Sequence, residues 1–437
     1  MIDKPQNPNY CATVVTVPAT RFGLKNLDKL EGINIFGFQV IVGKDTPSGI
    51  KGLFFPAETQ LSDEYCFKNN LYRHGDNNEL PDQKGYFEDN RRVRAIKFKG
   101  NTSNGFFMPL NSLEYTKVDV SILKDGDEFD TINGHEICRK YTVPTKASRP
   151  QEKADRGFVR ADKKFMPEHI DTENFYKNFE KIDPTAHVIV TQKIHGTSIR
   201  IANTMVNHKK SALETVASWF GAKIAKTEYA YLYGSKKVIK DANNPNQNHF
   251  YETDIWTLEG HKLDGLIPEN YVVYGELVGW TPEGKEIQRN YTYAIPQGTC
   301  ELYIYRVAIV NEKGLLTDLS WEQVKEFSRS IGVKHVPQMW QGLMAELIAD
   351  DFKFVKSMMD VRFFDGLHGG YRNCLFLGDN KDLVDEGICV RQDGLTPKIL
   401  KAKSPKFLEH ETKILDAGEE DLESSQSSDE IIKTVVA

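Results

Sequence analysis

The chain lacks the features that mark a membrane or secreted protein. No apolar run in its 437 residues approaches the roughly 20 residues that a membrane span requires. Residues 1–5 do not show the basic-then-apolar pattern of a signal peptide. We therefore expect no signal peptide and no membrane partner.

The chain is also poor in cysteine, and none of its six cysteines forms a C-x-x-C pair. This spacing argues against a zinc cage. Several of the cysteines lie inside apolar, strand-like runs, as Cys389 does between Ile388 and Val390. We predict buried thiols in a reducing compartment, and so a cytoplasmic protein, with a nuclear or viral setting left open.

An overall excess of positive charge is absent as well, since the formal net charge is −6. The charge is unevenly distributed, however. Residues 139–164 carry nine Lys or Arg against three Asp or Glu, whereas residues 416–430 are acidic and rich in serine. Because bulk repulsion is screened beyond about 10 Å at 0.1 M salt, a local basic surface can still bind nucleic acid.

Residues 1–140 have the pattern of an all-β domain. Residues 11–17, 33–42 and 93–99 are predicted strands, separated by stretches rich in Asp, Asn and Gly. A small OB-like β-barrel fits this length, and a β-sandwich is the alternative that the pattern leaves open. Residues 141–165 are a predicted basic linker.

Residues 166–415 mix strands and helices, so the predicted fold class is α+β. The predicted strands are 188–194, 271–279, 302–309 and a hairpin of 387–391 with 398–403. Residues 211–223 form a predicted amphipathic helix. The segment 320–331 is the clearest helix, with a capping box of Ser320 and Gln323 and a stop at Gly332. Residues 416–437 form a predicted disordered acidic tail.

Five short motifs follow one another in this second part: residues 193–196 (KIHG), 234–236 (GSK), 274–276 (YGE), 385–388 (DEGI) and 401–403 (KAK). Lys193 lies where a strand meets a glycine turn, so its amine can reach an open pocket. A lysine becomes a nucleophile when its pKa is lowered by burial, cations or a metal. Taken alone, K-x-H-G fits an ordinary exposed lysine at a strand end better.

The carboxylates and the later lysines complete a chemical set. Glu276 and Glu386 are predicted ligands of Mg²⁺ or Mn²⁺, although each is as easily a structural glutamate at a strand end. Lys401 and Lys403 share one strand face and return near Glu386 after one hairpin. There they can neutralise a phosphate, or they protect a solvated strand edge.

Two further residues are weaker candidates. Tyr305 is placed to stack on a purine or, equally well, to pack in a core. Arg200 follows Lys193 by seven residues, and it contacts a ribose or phosphate or is an ordinary surface arginine.

In this order, the motifs at Lys193–Gly196, Glu276, Tyr305, Glu386 and Lys401–Lys403 are similar to motifs I, III, IIIa, IV and V of the covalent nucleotidyltransferases. The chain most resembles the ATP-dependent RNA ligases that carry an OB domain ahead of the transferase domain. Supporting segments are residues 71–75, 84–87, 93–97, 105–110, 288–293 and 403–408. The resemblance implies a small OB-like barrel followed by an adenylyltransferase domain (ATP-grasp-like), with antiparallel sheets and flanking helices.

Three positions depart from the pattern of this family. His195 stands where ligases usually have aspartate. Lys236 stands where the phosphate-contacting motif often ends in arginine, which keeps the charge but loses bidentate recognition. Arg306 stands where an acidic residue is common.

The resemblance implies a role for each candidate. Lys193 attacks the α-phosphate of ATP to form lysyl-AMP, while Glu276 and Glu386 hold Mg²⁺ or Mn²⁺. Lys401 and Lys403 contact the α-phosphate, and Tyr305 stacks on adenine. The other nucleotide-binding candidates are Gly196, Arg200 and Lys236, and the OB-like domain offers Arg73, Arg94 and Lys97 for the pyrophosphate.

By the same resemblance, AMP passes to an RNA 5′-phosphate, and a 3′-OH then displaces it. The implied partners are RNA ends or a nicked duplex bridged by RNA or DNA, and we expect a monomer. Three alternatives remain: a capping-type guanylyltransferase, a nucleic-acid-binding relative without activity, and a generic α+β protein whose motifs are coincidental. The N-terminal position of the β domain argues against the first alternative, and five motifs in order argue against the last.

Overall fold

The structure, a computed structural model, describes residues 3–143, 161–240, 251–359, 374–375, 377 and 383–418. Most of the expected linker and tail therefore lies outside the described residues. The chain divides into two compact units. The first contains residues 1–144, 173–178 and 403–420, and the described remainder of the chain forms the second.

The first unit is mainly β. Its strands are β1 (Ala12–Thr16), β2 (Phe22–Gly23), β3 (Leu30–Ile35), β4 (Phe38–Gly43), β5 (Lys51–Pro56), β6 (Thr59–Leu61), β7 (Ile96–Phe98), β8 (Asn101–Ser103), β9 (Gly105–Pro109), β10 (Glu128–Phe129), β11 (Thr131–Ile132), β12 (His135–Glu136), β13 (Cys138–Lys140) and β14 (Glu173–Asn174). Its helices up to this point are α1 (Asp63–Lys68), α2 (Phe175–Asn178) and the 3₁₀ turns Gly75–Asn77, Leu110–Thr116 and Val120–Ile122.

Antiparallel sheets organise this unit. One sheet has the order β10-β1-β5-β9 and another the order β2-β3-β4, while β11-β12, β13-β6 and β7-β8 are two-stranded. The single strand expected over 33–42 is wrong, because β3 and β4 form a hairpin. Phe36 and Gly37 have φ of 48° and 75° at its turn, which suits a two-residue hairpin loop.

The second unit contains β15 (His187–Lys193), β16 (Thr197–Asn207), β17 (Thr227–Gly234), β18 (Tyr271–Gly279), β19 (Cys300–Val310), β20 (Leu316–Asp318), β21 (Lys334–His335), β22 (Gln338–Leu343), β23 (Gly387–Gln392) and β24 (Lys398–Lys403). Its helices are α3 (Ala212–Trp219), α4 (Ile255–His261), α5 (Trp321–Ser330), α6 (Met344–Ser357) and the 3₁₀ turns Lys163–Phe165 and Phe179–Lys181. Helix α6 is interrupted by non-helical backbone at residues 349–352.

Two sheets form the frame of the second unit. In one, β24, β23, β15 and β22 are neighbours in that order, and in the other the order is β17-β16-β18-β19-β20. The pairings of β15, β16 and β18 with their neighbours are antiparallel, whereas β21 joins β19 in parallel. This mixture of antiparallel sheets and helices confirms the α+β class.

Local sequence signals explain the helix ends. Ser320 and Gln323 form the predicted capping box at the start of α5, and Gly332 follows with φ of 69°. A second capping box, of Ser211 and Glu214, begins α3. This helix ends at Trp219, four residues earlier than the sequence predicts.

A buried ion pair lies in the second unit, where β19 meets β20. Arg306 donates to both carboxylate oxygens of Asp318, at 2.5 and 3.0 Å, and both residues are buried. The Arg306 guanidinium also lies over the ring of Tyr274, 4.5 Å from its centroid. The unusual arginine noted in the sequence therefore has a structural partner.

The last described helix, α7 (Pro405–Asp416), belongs to the first unit, although the sequence predicts that residues 166–415 form one domain. Thr412 anchors it: its hydroxyl donates to Glu58 at 2.7 Å, and its carbonyl accepts from Arg92 at 3.2 Å. Arg92 also pairs with Asp416. Because burial outweighs these partners, the pKa of the Glu58 carboxyl rises to about 7.

All six cysteines are free thiols, and Cys11, Cys66, Cys138 and Cys374 are buried. None of the helices in the described ranges is long and apolar enough to cross a membrane.

Candidate active site

A cavity in the second unit brings together five candidate residues from the sequence analysis and one further residue, Ser198. Its walls include Lys193, Ser198, Lys236, Glu276, Tyr305 and Lys401. These residues come from both sheets: Lys193 and Lys401 lie on β15 and β24, and Ser198, Glu276 and Tyr305 lie on β16, β18 and β19. The cavity therefore lies where strands of the two sheets approach each other.

Strand register brings Lys193 to Glu386. Lys193, the last residue of β15, pairs with Gly387, the first residue of β23. Glu386 precedes that glycine, and its carboxylate lies 2.8 Å from the ammonium nitrogen of Lys193. Glu386 is almost fully buried, whereas the Lys193 side chain is partly open. The two motifs, nearly 200 residues apart, thus form one ion pair.

His195 lies next to this pair. Its Nδ1 is 3.6 Å from Glu386 Oε2, too far for a good hydrogen bond. The His195 backbone N–H donates to the hydroxyl of Tyr293 at 2.6 Å, and its ring meets the ring of Tyr291 edge-on at 5.0 Å. The backbone of residues 193–196, which we call the nucleophile loop after the role expected of Lys193, is therefore held independently of the imidazole.

Gly196 allows the loop to approach β18. Its N–H donates to Glu276 Oε1 at 3.2 Å, and its carbonyl accepts from Gln288 at 2.8 Å. A Cβ at this position would lie 2.2 Å from the carbonyl oxygen of Leu277, closer than atoms can pack. The close approach of this loop to β18 therefore explains the glycine at position 196 without any contact to a nucleotide.

Glu276 lies opposite Ser198 in the pairing of β18 with β16. The Ser198 hydroxyl donates to Glu276 Oε2 at 3.3 Å. Together with the bond from Gly196, this donor fixes the carboxylate at the cavity wall. Glu276 therefore joins the nucleophile loop to the second sheet.

Arg200 occupies a different place from the one suggested by the sequence. It is buried, and it donates to the carbonyls of Ser235 and Met166, each at 2.8 Å. The bond to Ser235 holds the turn after β17, which presents Lys236 to the cavity. Arg200 therefore supports the turn that carries Lys236.

The two lysines of β24 diverge. Lys401 lines the cavity. The Lys403 ammonium instead donates to Glu411 of α7 at 2.7 Å and lies over the ring of Phe407. Sharing a strand face therefore did not give these two residues the same surroundings.

Burial shapes the electrostatics behind the cavity. Asp385 is buried, and this burial raises the pKa of its carboxyl well above the usual range. Burial likewise raises the pKa of the Cys389 thiol to about 11, although the nearby Lys193 opposes the shift. Asp385 is thus favoured as a neutral acid and Cys389 as an unreactive thiol.

The aromatic wall contains residues that the sequence analysis missed. The ring of His169 lies edge-on to Tyr305 at 4.9 Å, and residues 169–172 line the cavity with Trp321 and Arg391. Residues 169–172 follow the basic linker, and no periodic pattern distinguished them. A polar segment with histidine and aspartate just before a strand was the one available signal.

A divalent cation fits the chemistry of the donor set. Among the described residues, no three His, Cys, Asp or Glu side chains cluster as a closed metal site. Glu276 and Glu386 supply hard carboxylate oxygens of the kind that Mg²⁺ and Mn²⁺ prefer, and such ions commonly complete their shell with water and phosphate. An open site that shares the ion with a phosphate substrate is consistent with these two residues.

The structure resembles solved RNA ligases from Naegleria gruberi. A mutant with AMP and Mn has a TM-score of 0.57 and 16% identity, covering 91% of this chain and 98% of that one. A second mutant, with ATP and Mn, has a TM-score of 0.56 and 15% identity, covering 93% and 99%. A ligase with PPi also scores 0.56 at 15% identity, covering 92% and 98%. At these identities the likeness establishes the fold.

The sequence itself gives the family. A search of curated proteins found no match, but the RNA ligase family model matches residues 186–403. The matched segment spans the motifs from Lys193 to Lys403, and its fold is that of a covalent nucleotidyltransferase. The chain belongs to the RNA ligase family.

Proposed function

We propose that this RNA ligase is ATP-dependent and that Lys193 carries the nucleotide. The observation that supports this role is the position of Lys193 in one cavity with Glu276, Lys236 and Lys401. A nucleophile, a carboxylate and two cations are what adenylyl transfer requires, because an anion must approach a phosphate at each step.

In the first step, the Lys193 amine attacks the α-phosphorus of ATP. A P–N bond forms, the bond to the β-phosphate oxygen breaks and pyrophosphate leaves. An amine in an ion pair carries its proton and is not a nucleophile. The pair with Glu386 must therefore open and the ammonium must lose a proton before attack. Lys236 and Lys401 bind phosphate oxygens, and Tyr305 stacks on the adenine.

In the second and third steps, the nucleotide activates RNA. An oxygen of the RNA 5′-phosphate attacks the α-phosphorus, which breaks the P–N bond and gives RNA-adenylate. The 3′-OH of the other end then attacks the 5′-phosphorus, its proton is lost and AMP leaves. Glu276 and Glu386 would hold Mg²⁺ or Mn²⁺, which when bound neutralises phosphate charge.

The proposal also covers the form of the RNA substrate, the oligomeric state, the cellular location and the contacts to pyrophosphate. The substrate is a nicked duplex or a pair of RNA ends with 3′-OH and 5′-phosphate, bridged by RNA or DNA, and the enzyme acts as a monomer in the cytoplasm. The six free thiols support a reducing compartment. In the first unit, Arg73, Arg94 and Lys97 remain candidates for contact with the pyrophosphate. Arg73 is paired with Glu88 at 2.5 Å, whereas Lys97 is exposed.

The decisive experiment is an adduct assay with each of the four α-labelled nucleoside triphosphates and a divalent cation. We expect a covalent adduct with ATP alone that maps to Lys193 and is absent in Lys193→Ala. Lys398→Ala is a matched control, because Lys398 is an exposed lysine of β24. Labelling by GTP would indicate the guanylyltransferase, and no adduct with intact RNA binding would indicate an inactive relative.

A further inference from the structure

An exposed apolar surface lies in the connection between β16 and β17. We name it the α3 surface and define it as Leu213, Val216, Trp219 and Phe220. Leu213, Trp219 and Phe220 are 84%, 78% and 87% exposed, and Val216 is exposed as well. A surface tryptophan and phenylalanine next to each other in this state are unusual, since burying such a ring ordinarily stabilises a protein.

Lysines flank the α3 surface along the chain. Lys209 and Lys210 precede the helix, and Lys223 and Lys226 follow it, all exposed. The one acidic residue between them, Glu214, caps the helix and contacts His208 at 3.1 Å. A chain with an overall charge of −6 therefore carries four exposed lysines at the two ends of a short segment with two exposed aromatic side chains.

We propose that the α3 surface binds a single-stranded or frayed segment of the RNA substrate, with Trp219 and Phe220 stacking on bases and the flanking lysines contacting phosphates. Proteins that hold single strands combine aromatic platforms with a positive surface in this way. The polar side of α3 carries Glu214, Thr215 and Ser218 and no lysine, which is unlike a helix that lies on anionic lipid. This inference depends on the proposed function for the identity of the ligand.

The strand that leads to α3 gives the distance from the chemistry. β16 begins at Thr197, directly after the nucleophile loop, and ends at Asn207, directly before the lysines. Ten residue steps at about 3.3 Å each place the far end of β16, where the connection to α3 begins, about 33 Å from the loop. At about 3.4 Å per nucleotide step, the surface meets RNA about ten nucleotides from the joined ends. Short substrates should therefore not reach it.

The test uses the full chain and measures binding to nicked RNA duplexes with frayed ends. The duplex arms are about 6 or about 18 nucleotides long, so that one is shorter and the other longer than the predicted distance of about ten nucleotides between the nick and the contact. For Trp219→Ala/Phe220→Ala we expect at least about fivefold weaker binding of the long-arm substrate, given the usual contribution of one stacked base. Binding of the short-arm substrate and formation of the ATP adduct should not change. Leu395→Ala is the matched control, because Leu395 is 77% exposed elsewhere in the same unit.

The lysines are tested by salt dependence. Lys210→Ala/Lys223→Ala should lower the slope of log affinity against log salt by about 1.4 for the long-arm substrate. The equivalent pair Lys313→Ala/Lys353→Ala, also exposed, should leave the slope unchanged.

Four results would overturn the inference. Two concern RNA: unchanged long-arm binding in the aromatic variant, or equal weakening for both arm lengths. The other two leave the RNA affinity of the variant intact: a loss of self-association, measured by light scattering, or a loss of binding to phosphatidylserine vesicles. Because binding is measured without ATP, these results are separate from the adduct assay. A failed adduct assay would remove the proposed function and leave the RNA titration interpretable.

Discussion

The Lys193 ammonium and the Glu386 carboxylate are 2.8 Å apart because the end of β15 pairs with the start of β23. In this arrangement Glu386 has two tasks that compete: it pairs with the lysine, and it is a candidate ligand for the cation. Arrival of a cation at the carboxylate would weaken its hold on Lys193. Under the proposed function, metal binding and release of the nucleophile would be coupled through this single side chain.

The first prediction concerns Glu386→Gln. The amide keeps the shape but loses the charge, so it holds neither the ammonium nor a cation well. Release of Lys193 from the pair favours attack, but a bound cation contributes several kcal/mol of transition-state stabilisation, so we expect its loss to slow lysyl-AMP formation by at least about tenfold. The rate is measured in a single turnover across a Mn²⁺ titration. Glu312→Gln, an exposed glutamate, should behave as the parent, and a parental rate in Glu386→Gln would remove this residue from the site.

The second prediction concerns Gly196→Ala. The added methyl would meet the carbonyl oxygen of Leu277 at 2.2 Å, so the nucleophile loop must move away from β18. Overpacking of this kind costs about 1–3 kcal/mol, and adduct formation should be lost while the fold survives. Urea unfolding and the adduct assay check both parts. Gly23→Ala, where a Cβ meets nothing within 4 Å, is the control, and normal labelling of Gly196→Ala would contradict the prediction.

The third prediction concerns the buried pair of Arg306 and Asp318. Removing one partner leaves an uncompensated buried charge, so Arg306→Ala should lower the free energy of unfolding by about 3–5 kcal/mol. Replacing both, as Arg306→Met/Asp318→Leu, should cost much less. Urea unfolding of the parent, Arg306→Met, Asp318→Leu and the double variant completes the cycle and measures the coupling. If Arg306→Ala kept its stability and lost ATP binding instead, the arginine would belong to the active site.

The fourth prediction is a pH dependence that originates at Glu58. Its pKa is about 7 in the folded protein, against 4.5 ordinarily, so the folded state binds the proton more tightly than the unfolded state does. The resulting stabilisation is complete below pH 4.5 and is lost as the pH rises through 7, and it amounts to about 3 kcal/mol. Urea unfolding at a series of pH values should show this decline.

Glu58→Gln provides the control for that measurement. The amide cannot titrate, and it retains an oxygen that can accept from Thr412. The decline between pH 4.5 and 7 should therefore be smaller in the variant by the contribution of Glu58. An identical pH profile in both proteins would assign the dependence to other groups.

The sequence predicted much of the site because the motifs follow strand boundaries. Lys193 and Glu386 each stand at a strand end, Lys193 three residues before Gly196 and Glu386 directly before Gly387. The predicted strands over 188–194 and 387–391 lie within one residue of the observed β15 and β23. The sequence could not show that these two strands pair, since pairing between distant segments depends on the whole sheet. The RNA ligase resemblance supplied that information indirectly.

The partners of several site residues could not be predicted from the sequence, for physical reasons. Alternation placed Lys401 and Lys403 on one strand face, but Ser404 caps helix α7 immediately afterwards, and Glu411, about two turns further on, pairs with the second lysine. Arg200 was a candidate for the nucleotide, yet its donors serve two backbone carbonyls. Hydrogen-bond partners of long side chains are set by tertiary packing, which local patterns do not report.

The pairing of Lys193 with Gly387 has a consequence for how this enzyme tolerates change. Consecutive strand residues point to opposite sides, so deletion of one residue from the paired segment that begins at Gly387, such as Ile388, would turn Glu386 away from the amine, even with every cavity side chain retained. Single-codon deletions at these two strand ends should therefore be far more damaging than most amino-acid replacements around them.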